Sequence, residues 1–214
     1  MESLLGKVLF AAPTLLDPHF ARTAILLVQH VVMKPPMDAE GDAEEETALW
    51  TPDDTGVPGA MGLVLNRGSG AKVADVLAEA TELNDDDLCC KVNAELFHGG
   101  PCDGPLMVLH GGKLQENATP VMAGVTFSSD GDAIRPVLAG NIEPARFFAG
   151  YAGWGPGQLE TELDEGAWVV GELSATALLN PLADPWQQLL GGSLAKAMLK
   201  GANPAILPRD PSLN

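Results

Sequence analysis

The sequence predicts one domain in which strands and helices alternate irregularly, and three observations carry that expectation. Runs rich in Val, Ile and Leu recur along the chain, and others place apolar residues three and four apart, as one face of a helix requires. The 214 residues, 46% of them hydrophobic, are enough to bury one sizeable core rather than remain disordered. No internal repeat subdivides them; the two His-Gly-Gly triplets at 98–100 and 110–112 are too short to count.

Lys7–Ala12 and Thr23–Val32 read as strands buried on both faces. The Pro-bracketed connection Pro13–Phe20 joins them, with Asp17 placed to initiate a turn and Phe20 to pack beneath it. Residues 34–58 read as an acidic, flexible insertion loop. Between Lys34-Pro35-Pro36 and Gly56-Val57-Pro58-Gly59, eight carboxylates oppose Lys34 alone, which is −7 of the net −17, and only Trp50 is suited to dock back. Ala60–Leu65 is the next strand. Asn66–Gly70 follows as a Gly-rich loop, and Val73, Val76, Leu77 and Ala80 have helical spacing. Such a strand, loop and helix can hold an anion, but Gly-x4-Gly-Lys-Ser/Thr is absent, which favours an ordinary turn.

Glu95–His98 and Leu106–Leu109 read as a hairpin-like pair around His98-Gly99-Gly100-Pro101. Val121–Phe127 is a further strand, and Glu143–Ala149 a short helix capped by Asn141. The segment Gly150–Leu163 then sets four glycines and Trp154 before an acidic amphipathic stretch, a corner that Pro156 stiffens. Ala167–Glu172 is the last strand, and Asp184–Lys200 closes the domain as a helix. The domain spans 1–202, and 203–214 form a Pro-rich tail.

A net charge of −17 with no Lys/Arg cluster opposes binding to phosphate backbones, so direct nucleic-acid binding is not expected. No apolar run approaches the roughly 18 residues that cross a bilayer, and the acidic start Met1-Glu2-Ser3 is unlike a signal peptide, so no membrane association is expected and the cytoplasm is the default. Cys89, Cys90 and Cys102 make no disulfide framework and read as reduced thiols.

Ala12-Pro13, Asp17-Pro18-x-Phe20-x-Arg22-Thr23, Gly59-Ala60-Met61-Gly62-Leu63-Val64-Leu65-Asn66-Arg67, Gly99-Gly100-Pro101 and Gly150-Tyr151-Ala152-Gly153-Trp154-x-x-Gly157-Gln158-Leu159-x-x-Glu162 occur in that order. Together they resemble the AlgH/YqgE family of bacterial proteins over nearly the whole chain. The exceptions are the acidic span, longer than the family's usual link, and the tail. The resemblance implies an α+β fold with a mixed β-sheet curled into a partial barrel and helices outside it. It implies no established reaction. The family's common label of transcriptional regulator comes with no recognised DNA-binding motif, and no helix-turn-helix is visible in this chain.

The residues leave open whether the protein is an enzyme, because no Gly-x-Ser-x-Gly and no catalytic residue stand out. His98, Cys102, Asp103 and His110 could in principle serve a metal-dependent hydrolase, but their spacing matches no zinc motif, so no metal and no cofactor are expected. The preferred reading is a binding or regulatory module whose pocket forms where the glycine turns meet. Gly99 and Gly100 would offer backbone N–H groups, Asn66 and Arg67 polar contacts, Trp154 a stacking face and Gln158 an amide, a set suited to a nucleotide-like or anionic metabolite. The competing readings are that these residues only shape the core, or that the acidic loop and apolar corner dock a protein partner.

Overall fold

The computed structural model describes residues 2–31, 59–80, 90–112 and 117–190. The acidic span 34–58 with Trp50, Cys89, the C-terminal part of the expected last helix and the Pro-rich tail lie outside them. Strands β1 (Val8–Ala11), β2 (Ala24–His30) and β3 (Ala60–Val64) form side by side, and every residue in them except Gln29 is buried. Covered on both faces, such strands need no polar alternation, and each buried Leu or Ile contributes about 1.5–3 kcal/mol.

The remaining elements are β4 (Gly68–Lys72), α1 (Val73–Ala80), β5 (Glu95–His98), β6 (Cys102–His110), β7 (Thr119–Met122), β8 (Val125–Ser128), α2 (Gly131–Leu138), β9 (Ala145–Trp154), α3 (Gln158–Asp164), β10 (Trp168–Gly171), α4 (Ala175–Leu179) and α5 (Pro185–Leu190). The sheet runs β10-β1-β2-β3-β9-β6-β8-β7, with β5 also on β9 and β4 on β5. All described pairs are antiparallel except β5 with β9, so the sheet is mixed. It curls into a half-barrel. Its β7 end returns so close to the start of β1 that a Cβ on Gly6 would lie 2.7 Å from the Val121 carbonyl oxygen. At the other end β10 zips onto β1, and the exposed pair Lys7–Glu172 flanks the register Val8↔Gly171. Lys7 holds the Glu172 carboxyl below its ordinary value, chiefly by hydrogen bonding and then by charge.

Three apolar clusters follow from the curl. The concave side gathers Phe10, Leu26, Leu63, Met107, Leu109, Phe148 and Trp186, with α4 and α5 over it. The convex side is split between Trp154, Trp168 and α3, and Val108, Phe147 and α2. Phe20 packs beneath its turn as expected, 6.3 Å from the Trp154 ring and 5.6 Å from that of Trp168.

Four expectations are corrected. Glu143–Ala149 is not a helix capped by Asn141; Ala145–Ala149 opens β9, sending Arg146 and Phe148 to the concave side and Phe147 to α2. With both faces covered, the strand carries no helical stripe and no polar alternation. Val121–Phe127 is two strands, β7 and β8, because Gly124 turns the chain with φ 79°. Gly68–Gly70 is strand rather than open loop, paired to β5, with the Ser69 hydroxyl donating to the Leu96 carbonyl at 2.6 Å. β5 and β6 are not a hairpin: β9 lies between them and bonds both.

Candidate functional site

Asn66 and Arg67 follow β3 and hold loops together. Asn66 Oδ1 accepts the Ala24 N–H at 3.1 Å, while its Nδ2 donates to the Arg22 carbonyl at 2.9 Å and to Asp184 Oδ1 at 3.2 Å. Arg67 Nη2 donates to the Ala21 carbonyl at 3.0 Å. The pair therefore clamps the Pro13–Arg22 loop and the start of α5 onto the end of the sheet. Exposed leucines project from both clamped segments, Leu16 at 80% and Leu182 at 93%.

Gly99 and Gly100 cross the β9 backbone in close contact. The Gly99 N–H is already donated to the Ala149 carbonyl at 2.8 Å, and the Gly99 carbonyl accepts from Val64 at 2.8 Å. A Cβ on Gly99 would sit 2.1 Å from the Gly150 oxygen, and one on Gly100 2.1 Å from the Tyr151 carbonyl carbon. Both positions need glycine for backbone approach.

Trp154 and Gln158 lie elsewhere. Trp154, 2% exposed, donates its indole N–H to Glu162 Oε2 at 2.9 Å, and Trp168 donates to the same oxygen at 2.7 Å. Gln158 gives its amide to Glu162 Oε1 at 2.9 Å and accepts the Gly155 N–H at 3.1 Å. Beside them His30 Nε2 meets Glu160 Oε1 at 3.0 Å, while its Nδ1 accepts the Leu4 N–H at 2.8 Å. Trp154 pairs with Ala60 at one end of β3 and Asn66 lies beyond the other end, so strand rise separates them by about 20 Å. Of the six residues expected to share a pocket, Asn66 and Arg67 adjoin Gly99 and Gly100, since the Val64 N–H donates to the Gly99 carbonyl and the His98 N–H to the Arg67 carbonyl, both at 2.8 Å, while Trp154 and Gln158 lie apart from them.

Arg146 was missed from the sequence. It is 1% exposed, points into the concave side, and its guanidinium carbon lies 4.3 Å from the Phe97 ring centroid and 5.5 Å from that of Phe148. Nη1 donates to the Leu178 carbonyl at 3.0 Å, Nη2 donates to the Leu65 carbonyl, and Nε has no partner among the described residues. No carboxylate oxygen among the described residues pairs with it. Burial pushes its pKa down from 12.5 to about 10, against a smaller opposing pull from Glu95. A lone charge inside the apolar run Ala145–Ala149 was the available signal, since buried arginines are rare unless paired.

Two other polar sites are closed. His110, fully buried, contacts the Gly111 carbonyl through Nδ1 at 2.8 Å and Ser128 Oγ through Nε2 at 3.4 Å, and Ser128 is 1% exposed. Tyr151 has its hydroxyl pKa raised by burial first and by Cys102 second. Among the described residues no three His, Cys, Asp or Glu side chains gather as metal ligands, Cys90 and Cys102 are free thiols, and no helix is long and apolar enough to cross a membrane.

An AlgH-like family model (DUF179) matches residues 53–195. A UPF0301 protein of Streptomyces coelicolor is 34% identical over 226 residues, covering 100% of this chain and 97% of the relative. One from Myxococcus xanthus is 30% identical and covers both chains completely. The solution structure of the AlgH protein from Pseudomonas aeruginosa superposes with a TM-score of 0.62 at 30% identity, over 94% of this chain and 90% of that one. A crystal structure of a Corynebacterium diphtheriae protein, 23% identical, shares the fold with a TM-score of 0.56 over 86% and 84% of the two chains. With the half-barrel, the shared length and the matched family model in agreement, the chain belongs to the AlgH-like family.

Proposed function

We propose that this protein is a binding module for a small anionic ligand and acts by binding rather than by turnover. One observation carries the reading: the Arg146 guanidinium is buried in apolar surroundings with no carboxylate bonded to it among the described residues, where its Nε–H also has no partner. A buried cation of this kind is costly unless neutralised, and an oxyanion is the natural complement of a guanidinium fork. This moves the anion site from the glycine corner to the concave side of the sheet. The free thiols Cys90 and Cys102 are in keeping with a reducing, cytoplasmic setting. Titration calorimetry with a panel of carboxylates, nucleotides and inorganic phosphate tests the reading. At least one anion should bind, and Arg146→Met should weaken it tenfold or more, whereas Arg67→Ala should lower stability and spare affinity. A panel that gives no heat with the parent protein removes the reading.

Leu16 and Leu182 favour a second role, because exposed apolar side chains on loops held by Asn66 and Arg67 suit a protein partner. Leu16→Asp with Leu182→Asp should abolish cross-linking to such a partner in cell extract while leaving anion binding unchanged. Retained cross-links would discard this second role.

A further inference from the structure

Arg146 is 1% exposed, so no anion reaches it while its surroundings stay closed. Its covering is unequal. Leu65 follows β3 in the centre of the sheet, and its N–H donates to the Ala24 carbonyl at 2.8 Å. Leu178 belongs to α4, a five-residue helix whose one side-chain cap is the 3.3 Å bond from the Ala177 N–H to exposed Ser174. Beyond α4 the chain runs through Leu182, 93% exposed, before Trp186 anchors α5 through a 3.0 Å bond to the Ala11 carbonyl. Leu178 and Leu179 also bury into the concave cluster, but isolated helices this short are marginal, and α4 opens locally at lower cost than the sheet beneath it. The Leu178 carbonyl is thus the weakest-held group on the guanidinium.

Resting on the anion-binding reading above, we propose that the ligand is a monocarboxylate with an apolar body, and that it binds by displacing the Leu178 carbonyl, so that occupancy releases α4. The charge argument selects the class. One guanidinium neutralises one negative charge; a dianion would leave a second charge in apolar surroundings already within the field of Glu95. The planar two-oxygen carboxylate matches the planar fork, and the concave apolar cluster around the guanidinium suits a ligand with an apolar part. The Leu178 carbonyl occupies one donor of that fork in the closed state, so helix and ligand compete for the same N–H. Such competition makes the bound ligand a switch: the segment that covers the concave cluster is held down by Arg146 only while the site is empty.

Full-length protein titrated with benzoate and hexanoate, against benzamide and inorganic phosphate, tests both parts. Both carboxylates should bind, benzamide and phosphate should be at least tenfold weaker, and Arg146→Lys should abolish carboxylate binding. Hydrogen exchange at 174–187 should speed up on saturation with hexanoate. Ser174→Ala, an exposed change that spares the sheet, should raise hexanoate affinity about fivefold, because it raises the population of the open state. Phosphate binding as well as hexanoate would overturn the monocarboxylate class and leave the anion reading standing. Carboxylate binding with slowed exchange at 174–187 and no gain in Ser174→Ala would overturn the switch alone. Binding that survives in Arg146→Lys, or no binding by any probe, would overturn both.

Discussion

Gly100→Ala is expected to destabilise the domain by about 3 kcal/mol or more, lowering Tm by about 6–12 °C at this chain length. The new Cβ would meet the Tyr151 carbonyl carbon at 2.1 Å, its oxygen at 2.2 Å and the Ala152 nitrogen at 2.3 Å. All three are backbone atoms of β9, held between β3 and β6, and no side-chain rotation relieves them. Gly104→Ala is the control, because its nearest neighbour is a side-chain atom, Cδ1 of the Tyr151 ring, at 3.1 Å rather than backbone at 2.1 Å. Its loss should be a third or less of that at Gly100. Thermal melts followed by circular dichroism decide the matter, and equal losses at the two positions would refute the distinction between backbone and side-chain obstruction.

Glu162→Ala ranks second. It leaves two indole N–H groups, from Trp154 at 2% and Trp168 at 4% exposure, with no acceptor. Each stranded buried donor costs about 1–3 kcal/mol, so the expected loss is about 2–6 kcal/mol in urea denaturation. Glu162→Gln keeps one carbonyl oxygen for both indoles and should lose less than half as much. Tryptophan emission should shift to the red in the alanine variant and stay near the parent in the glutamine variant. Equal stability of the two variants would show that the carboxylate does not hold the corner together.

The strands buried on both faces were legible because an unbroken run of Val, Ile and Leu has few other uses. β1, β2 and β3 fall where their composition puts them. α2 escaped because it begins at Gly131 and contains Pro136, both ordinarily read as breaks; the Asp130 carboxylate, accepting the N–H groups of Asp132 and Ala133 at 3.0 and 3.1 Å, starts the helix regardless. The β9 segment before Gly150 was misread for a related reason: Arg146, Phe147 and Phe148 are all buried, but on alternate faces, and the arginine interrupts what would otherwise be an apolar run. The glycine corner stood out in the sequence. Its purpose was less legible, because a glycine required by a crossing strand and a glycine offered to a ligand look alike until the crossing strand is placed. Arg146 carried a visible signal in its apolar neighbours, yet only the strand geometry aims it at Leu65 and Leu178.

The sheet's connectivity also dictates when the protein can fold. By the time α2 has been synthesised, eight of the ten described strands exist, but β3, β5 and β6 all lack the shared neighbour β9 that joins them. β1 waits longer still, since its outer partner β10 is the last strand described. Pairings this distant along the chain close slowly and cannot be completed while the ribosome still holds their second half. The nascent chain therefore leaves the backbone groups along one edge of β1 and one edge of β3 unpaired until β9 and β10 emerge.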